Sequence, residues 1–488
     1  MLRPALVSAL ALSLALGGCN KATESAPGEP TRITGTDTSN ADGVTGEAAV
    51  QPASATVSMR DVGTPEPSLV ELYLKLHQAP ELSFKEAKTS AILSQELQSL
   101  GFEVTTGVGQ DWVVEKATKD IGEVKPGVGG YGVVGVLRNG NGPTVLIRTD
   151  MDALPVPEQT GVSYASTVES QTWTGVDSPV MHACGHDVHM TAWLGTARAL
   201  VAQKSKWKGT LVMIAQPAEE IGLGAQAMLA DGLYQRFPKP DYNLALHVSA
   251  DAPSGTVVYS TGYAMANVDS VDIHVKGVGG HGAYPQATRD PILIGAHIVT
   301  ALQSLVSRNV DPLDSAVVTV GSFKAGAKHN IIPDEATLLL TVRSYDDDTR
   351  QMLLDGIARI AKAEAAAFDA PEPEIIVESD YTPSTYNDPD MTGRVMKAVG
   401  KKLGPDYVKQ VNPVMGGEDF SQYARTEEKI PSVLFWVGAV APDKYAKAKA
   451  DGMPLPSLHS SLFAPDYERT IQTGIDSMST AALELFKD

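Results

Sequence analysis

Short β-rich apolar runs alternate with helical patterns along this chain, and that alternation narrows the available folds more than any other feature. Residues 131–138, 144–149, 210–215 and 243–248 have strand length and composition, and 188–202 between them has the length and spacing of a helix. Strands alternating with helices imply an α/β sheet covered on both faces, with ligands gathering where the strands end. Upstream, Ser83-Phe84-Lys85-Glu86 has the spacing of a capping box, and Leu93, Leu97 and Leu100 follow on one face before Gly101, which predicts a helix.

From Val268 the order changes to strand 268–275, helix 291–307, strand 316–323, strand 336–342, helix 349–368 and strand 374–378. This β-α-β-β-α-β order is the ferredoxin-like arrangement. The α/β pattern then resumes with a helix at 391–403, a strand at 432–437 and a last helix from Asp466. The expected fold is α/β: a two-segment domain at 68–265 and 380–488 with a mixed sheet flanked by helices, and an inserted ferredoxin-like α+β lid domain at 266–379.

The N-terminus reads as a separate device. Arg3, an apolar run from Ala5 to Leu16 and Gly17-Gly18-Cys19 have the form of a bacterial lipoprotein signal over 1–19. The run is shorter than the roughly 20 apolar residues of a spanning helix. The expectation is an exported protein held to the cell envelope by a lipid on Cys19, at the outer membrane and facing the periplasm. Residues 20–67, rich in Ser, Thr, Ala, Gly, Pro and acid, read as a disordered tether. The chain has 39 Lys+Arg against 58 Asp+Glu, a net charge of −19, and no basic run. Nucleic acid, whose phosphates need cationic contacts, is excluded as a partner on that ground. With Cys19 lipidated, Cys184 is an unpaired thiol in an oxidising compartment.

His182, Cys184, His186 and His189 fall in one short segment between a strand and a helix. Thiolate, imidazole and carboxylate suit a zinc-like divalent ion. Acids and a histidine recur at neighbouring strand ends: Asp150 and Asp152 after one, Glu219 and Glu220 after another, His247 on a third. His459 returns from the last segment.

Arg148–Pro155, Cys184-Gly185-His186-Asp187, Gln216–Glu220, Gly279-Gly280-His281 and Gly416–Phe420, in this order, resemble the M20 metallopeptidases. The Cys-Gly-His-Asp form is similar to their amidohydrolase branch, which contains hippurate hydrolases, N-acyl-amino-acid deacylases and indole-3-acetyl-amino-acid hydrolases. The resemblance implies two divalent metal ions (Mn, Zn, Co or Ni) on Cys184, His186, Glu220, His247 and His459, with Cys184 bridging. It implies Glu219 as general base, Asp152 as an orienting carboxylate, with Asp150 beside it, and His281 as oxyanion stabiliser, in its own or a partner subunit. Asn330 and Arg343 match positions that bind a substrate carboxylate, and Glu418 lines the pocket or supports the metal shell. His77, His182, His189, His274, His297 and His329 read as structural, His182 being the first exception to consider.

The function implied is metal-dependent cleavage of N-acyl amino acids by a homodimer. A dipeptidase or carboxypeptidase is the alternative, with a non-catalytic binding lipoprotein behind it. Ser461, Leu340 and Ala250 depart from the family pattern, in loops and lid and not at the expected ligands.

Overall fold

The computed structural model describes residues 61–488; the expected signal and most of the tether lie outside the described residues. The fold begins before the expected end of the tether, since Val62 is buried and a helix starts at Pro67. Among the described residues no helix is long and apolar enough to cross a membrane.

The main sheet has eight strands in the spatial order Glu103–Val108, Gly132–Arg138, Thr210–Gln216, Thr144–Asp150, Tyr242–Pro253, Ser432–Val440, Val257–Tyr259, Val408–Gln410. Its four central strands, from Thr210–Gln216 to Ser432–Val440, are mutually parallel, and the next strand on each side joins them antiparallel. Side chains alternate across these strands. Val145, Ile147, Leu211, Met213, Leu244, Leu246, Val433 and Phe435 pack on one face, under helices Pro67–Gln78, Ala87–Ser99, His186–Ala202, Pro389–Leu403 and Tyr467–Leu485. Leu146, Val212, Ile214, Ala245 and Leu434 pack on the other, under the short helix Gly224–Ala230 and Phe420 and Tyr423. Central parallel strands buried on both faces send the chain out at one sheet edge, and the acids and histidines stand there.

The capping box predicted at Ser83–Glu86 is a correction. The helix does follow, at Ala87–Ser99, but Ser83 Oγ donates to Asp152 and Glu86 accepts from the Phe84 and Ala218 N–H groups. Glu81 caps instead, accepting from the Lys88 and Thr89 N–H groups at 2.9 and 2.8 Å. The motif's residues were spent on the functional site, and an acid further upstream took the orphan donors.

The insertion forms its own four-stranded sheet, in the order Val317–Ala325, Glu335–Ser344, Asn267–Lys276, Glu374–Val377, all antiparallel. Helices Pro291–Arg308 and Asp347–Ala367 cover one face; Asp290 and Asp346 cap them by accepting from the Ile292 and Thr349 N–H groups. Such caps contribute about 1 kcal/mol each. Val271, Ile273, Val275, Leu338, Leu340 and Val342 point inward to those helices, so the departure at Leu340 belongs to this core. Val268, Ser270 and Arg343 stand on the opposite face and line the main cavity. Gly262–Met265 and Thr385–Asn387, where the chain leaves and returns, pair as two antiparallel strands.

Candidate metal centre and active site

The strand Thr210–Gln216 ends in Pro217, and Ala218 then adopts φ +52, a left-handed conformation rare for a residue with a Cβ. The turn is held by its donors. Ala218 N–H donates to Glu86 Oε1 at 2.8 Å, Glu219 N–H to Asp152 Oδ1 at 3.1 Å and Glu220 N–H to Asp152 Oδ2 at 3.0 Å. Asp152 also accepts from Ser83 Oγ at 2.6 Å, so one buried carboxylate fixes the backbone of both glutamates. Strain maintained by surrounding hydrogen bonds is characteristic of functional turns. His459, the second such residue here, has φ +64 and is pinned by its N–H to the Ala183 carbonyl at 2.9 Å.

Ligand atoms of Cys184, His186 and His247 lie within 4.8 Å of one another, and so do those of Cys184, Glu220 and His459. Cys184 is common to both triads. His186 Nδ1–H donates to the Asp152 carbonyl at 2.8 Å and His247 Nδ1–H to the Val248 carbonyl at 2.7 Å. Those carbonyls take each Nδ1–H and turn each Nε2 toward the cluster, the arrangement of metal-binding histidines. His186 Nε2 and Glu220 Oε1 are buried without any hydrogen-bond partner. Orphaned buried polar atoms are costly unless something else binds them.

Electrostatics point the same way. Asp150, Asp152, Glu219, Glu220, Glu418 and Asp419 converge with Arg148 as the one guanidinium among them. Burial, then Glu418 and Glu220, push the Glu219 carboxyl well above the carboxylate range. Burial, then Glu220 and Glu219, likewise push the Cys184 thiol up. A divalent cation reverses this sign by favouring thiolate and carboxylate. The donor set, the orphaned atoms and the excess negative charge all fit a pair of such ions.

A cavity of about 840 Å³ opens over the cluster. Glu219, Glu220, His247, Glu418 and His459 lie on its floor, and Val258, Met265, Val414 and Trp436 form an apolar wall. Arg343 reaches it from the lid, half-buried, donating to the Met415 carbonyl at 2.6 Å. His281 and Asn330 do not line it. They sit together on the exposed side of the lid, where Gly282 N–H donates to the Asn330 carbonyl at 2.9 Å and the His281 ring lies 5.4 Å from Tyr284.

The profile of peptidase family M20/M25/M40 matches residues 146–459. The chain belongs to that family. Thermostable carboxypeptidase 2 of Saccharolobus solfataricus is 35% identical over 408 residues, covering 83% of this chain and 92% of the relative. Hippurate hydrolase of Campylobacter jejuni is 37% identical over 358 residues, 72% of this chain and 84% of the relative. Among solved structures, a dinuclear metal binding peptidase from the M20 family of Bacillus subtilis matches with a TM-score of 0.67 at 28% identity, covering 86% of this chain and 98% of that one. This M20 chain is therefore a hydrolytic enzyme acting on amides.

Of the residues around this M20 site, Arg148 was not given a role from the sequence, and His189, His77 and His182 were read there as structural. Arg148 is wholly buried and bonded to Asp150, Gln216, Glu418 and Asp419. A charged residue inside the apolar run 144–149 was the available signal. His189 Nδ1–H donates to Asp150 Oδ1 at 2.7 Å while its Nε2 accepts from Val248 N–H at 2.9 Å, and burial holds its pKa down at about 3, so the ring is neutral. His77 sits between Asp187 Oδ2 at 2.6 Å and Glu158 Oε1 at 3.2 Å. Burial opposes its charge, but the hydrogen bonds to Asp187 and Glu158 prevail and raise its pKa to about 9. His182 is buried with both ring nitrogens unpartnered, and burial lowers its pKa to about 4.

Proposed function

We propose that this enzyme hydrolyses the amide bond of N-acyl amino acids, using two divalent ions held by Cys184, His186, Glu220, His247 and His459. The sharing of Cys184 by two ligand triads, with Glu219 beside them, carries the reading. Bound there, the ions would supply an acidified water and polarise the amide carbonyl. Glu219 Oε2 lies 3.8 Å from His186 Nε2, at the edge of the ligand cluster and open to the cavity. It takes the proton of the attacking water and returns it to the departing nitrogen, a role that general acid–base catalysis rewards with ~10²–10⁴-fold in rate. Asp152 acts through the backbone, accepting from the Glu219 and Glu220 N–H groups and so fixing two side chains whose carboxylates both approach His186 Nε2, at 3.8 and 3.7 Å. Arg343 is the guanidinium of the cavity wall and suits the carboxylate of the amino-acid half.

His281 and Asn330 act, on this reading, in the cavity of a second copy, which is what a homodimer through the lid would allow. Export and lipid attachment at Cys19 complete the proposal. Amino-acid release from N-acetyl, N-benzoyl and indole-acetyl amino acids beside dipeptides, after chelation and readdition of Mn, Zn, Co or Ni, tests it. Metal-dependent turnover of the acylated substrates that Glu219→Ala abolishes is expected. Turnover of dipeptides alone would replace the deacylase by a peptidase, and metal binding without turnover would overturn the catalytic reading.

A further inference from the structure

We infer that Arg148 is a positioning residue for this reaction, a buried fork that ties the acidic side of the cavity to the strand carrying His247. A guanidinium has five N–H donors, and here every one has an acceptor. Nε donates to Gln216 Oε1 at 3.0 Å, Nη1 to Asp150 Oδ2 at 2.7 Å and Glu418 Oε2 at 3.4 Å, and Nη2 to Glu418 Oε1 at 2.8 Å and Asp419 Oδ1 at 3.1 Å. Arg148 does not line the cavity, whereas Glu418 and Asp419 do, and their oxygens lie within 4.8 Å of Glu219.

The fork therefore works in two directions. Toward the cavity it fixes Glu418 and Asp419, which are gripped from behind by Phe420 N–H, Gln216 Nε2 and Ala225 N–H at 2.9, 2.7 and 3.0 Å. Glu418 has both oxygens engaged, so it is a fixed wall of negative charge beside Glu219 and not a free substrate ligand. Toward the metal centre the fork holds Asp150, which orients His189, which accepts the Val248 N–H next to His247. Val248 in turn accepts from His247 Nδ1–H. One guanidinium thus constrains the groups on both sides of the proposed reaction centre. Lysine in its place keeps the charge, but its three donors on a single nitrogen cannot span four side chains.

The inference rests on the proposed hydrolase, and its test separates the two. The full chain, wild type and Arg148→Lys, is titrated with Mn alone, assayed for turnover at saturating Mn, and melted. Gln216→Leu is the second variant: Gln216 is buried and does not line the main cavity, but it holds Arg148 Nε and Asp419. For Arg148→Lys the expected result is a Mn Kd raised ~10–100-fold, the usual cost of losing support behind metal ligands. At saturating Mn its kcat falls by a similar factor with KM nearly unchanged, and Gln216→Leu repeats the signature at about 3–10-fold. If Arg148→Lys fails to fold, Gln216→Leu decides. Variants that melt earlier but keep wild-type Mn Kd and kcat overturn the inference, because a purely structural residue moves only the melting temperature. A raised KM with unchanged kcat overturns it as well, by making Glu418 a substrate contact. Wild-type protein that binds Mn without turning over any substrate refutes the hydrolase reading, and Mn affinity still decides whether Arg148 positions the ligands.

Discussion

His77 makes the stability of this protein depend on pH in a direction that can be worked out beforehand. Its ring is enclosed by Asp187 and Glu158, with Tyr73 at 5.6 Å and Tyr164 at 5.1 Å between ring centroids, and little solvent reaches it. The rise from 6.5 to about 9 is the net of burial, which lowers the value, and the two carboxylate hydrogen bonds, which raise it further. A shift of that size corresponds to about 3 kcal/mol of stability held by the protonated ring. Because the folded-state pKa lies above the unfolded one, the contribution is complete below about pH 6.5 and fades as pH rises through about 9. Urea unfolding of the wild type and His77→Gln at pH 6, 7.5, 9 and 10 measures it. The stability gap should be widest at pH 6 and narrow by about 3 kcal/mol by pH 10. A gap that is flat or widens with pH would refute the reasoning, since it would mean that the ring folds neutral.

Other outcomes follow from the same geometry. Glu219→Gln should lower kcat by at least ~10²-fold while leaving Mn binding in place, which paired kinetics and metal titration will show. Asp152→Ala strips the acceptor from two backbone donors and a hydroxyl; a destabilisation of about 2–4 kcal/mol in urea, with a drop in kcat larger than any change in KM, is expected. Ala218→Gly should fold and retain activity because glycine accepts the left-handed turn without strain, whereas Ala218→Val should lose both in the same assays.

The sequence was informative wherever one local pattern decided the outcome. The lid was readable because each strand and helix has its own period, and Asn267–Lys276 alternates buried and half-buried residues along its whole length. The convergence of Cys184, His186, Glu220, His247 and His459 was readable because such residue types recur where the predicted strands and helices meet or where the chain returns. The supporting residues were hidden by distance along the chain. Arg148 meets Glu418 across 270 positions and His77 meets Asp187 across 110, and no local rule pairs them. Ser83 and Glu86 misled for the same reason: a capping motif and a set of supports for a distant turn look alike until the partners at Asp152 and Ala218 are known. His281 and Asn330 came from the resemblance, and within a single chain the fold leaves them exposed, away from the cavity they were expected to serve.

The central claim is that Cys184 joins two ligand triads into one dinuclear centre. It is tested most directly by counting ions. The wild type, Cys184→Ala, His186→Ala and Glu220→Ala would each be loaded with Mn, freed of excess and analysed for metal per chain by mass spectrometry. Two ions in the wild type, one in each of the His186 and Glu220 variants, and fewer than one without Cys184 are predicted. A single ion in the wild type, or two retained after Cys184 is removed, would contradict the account.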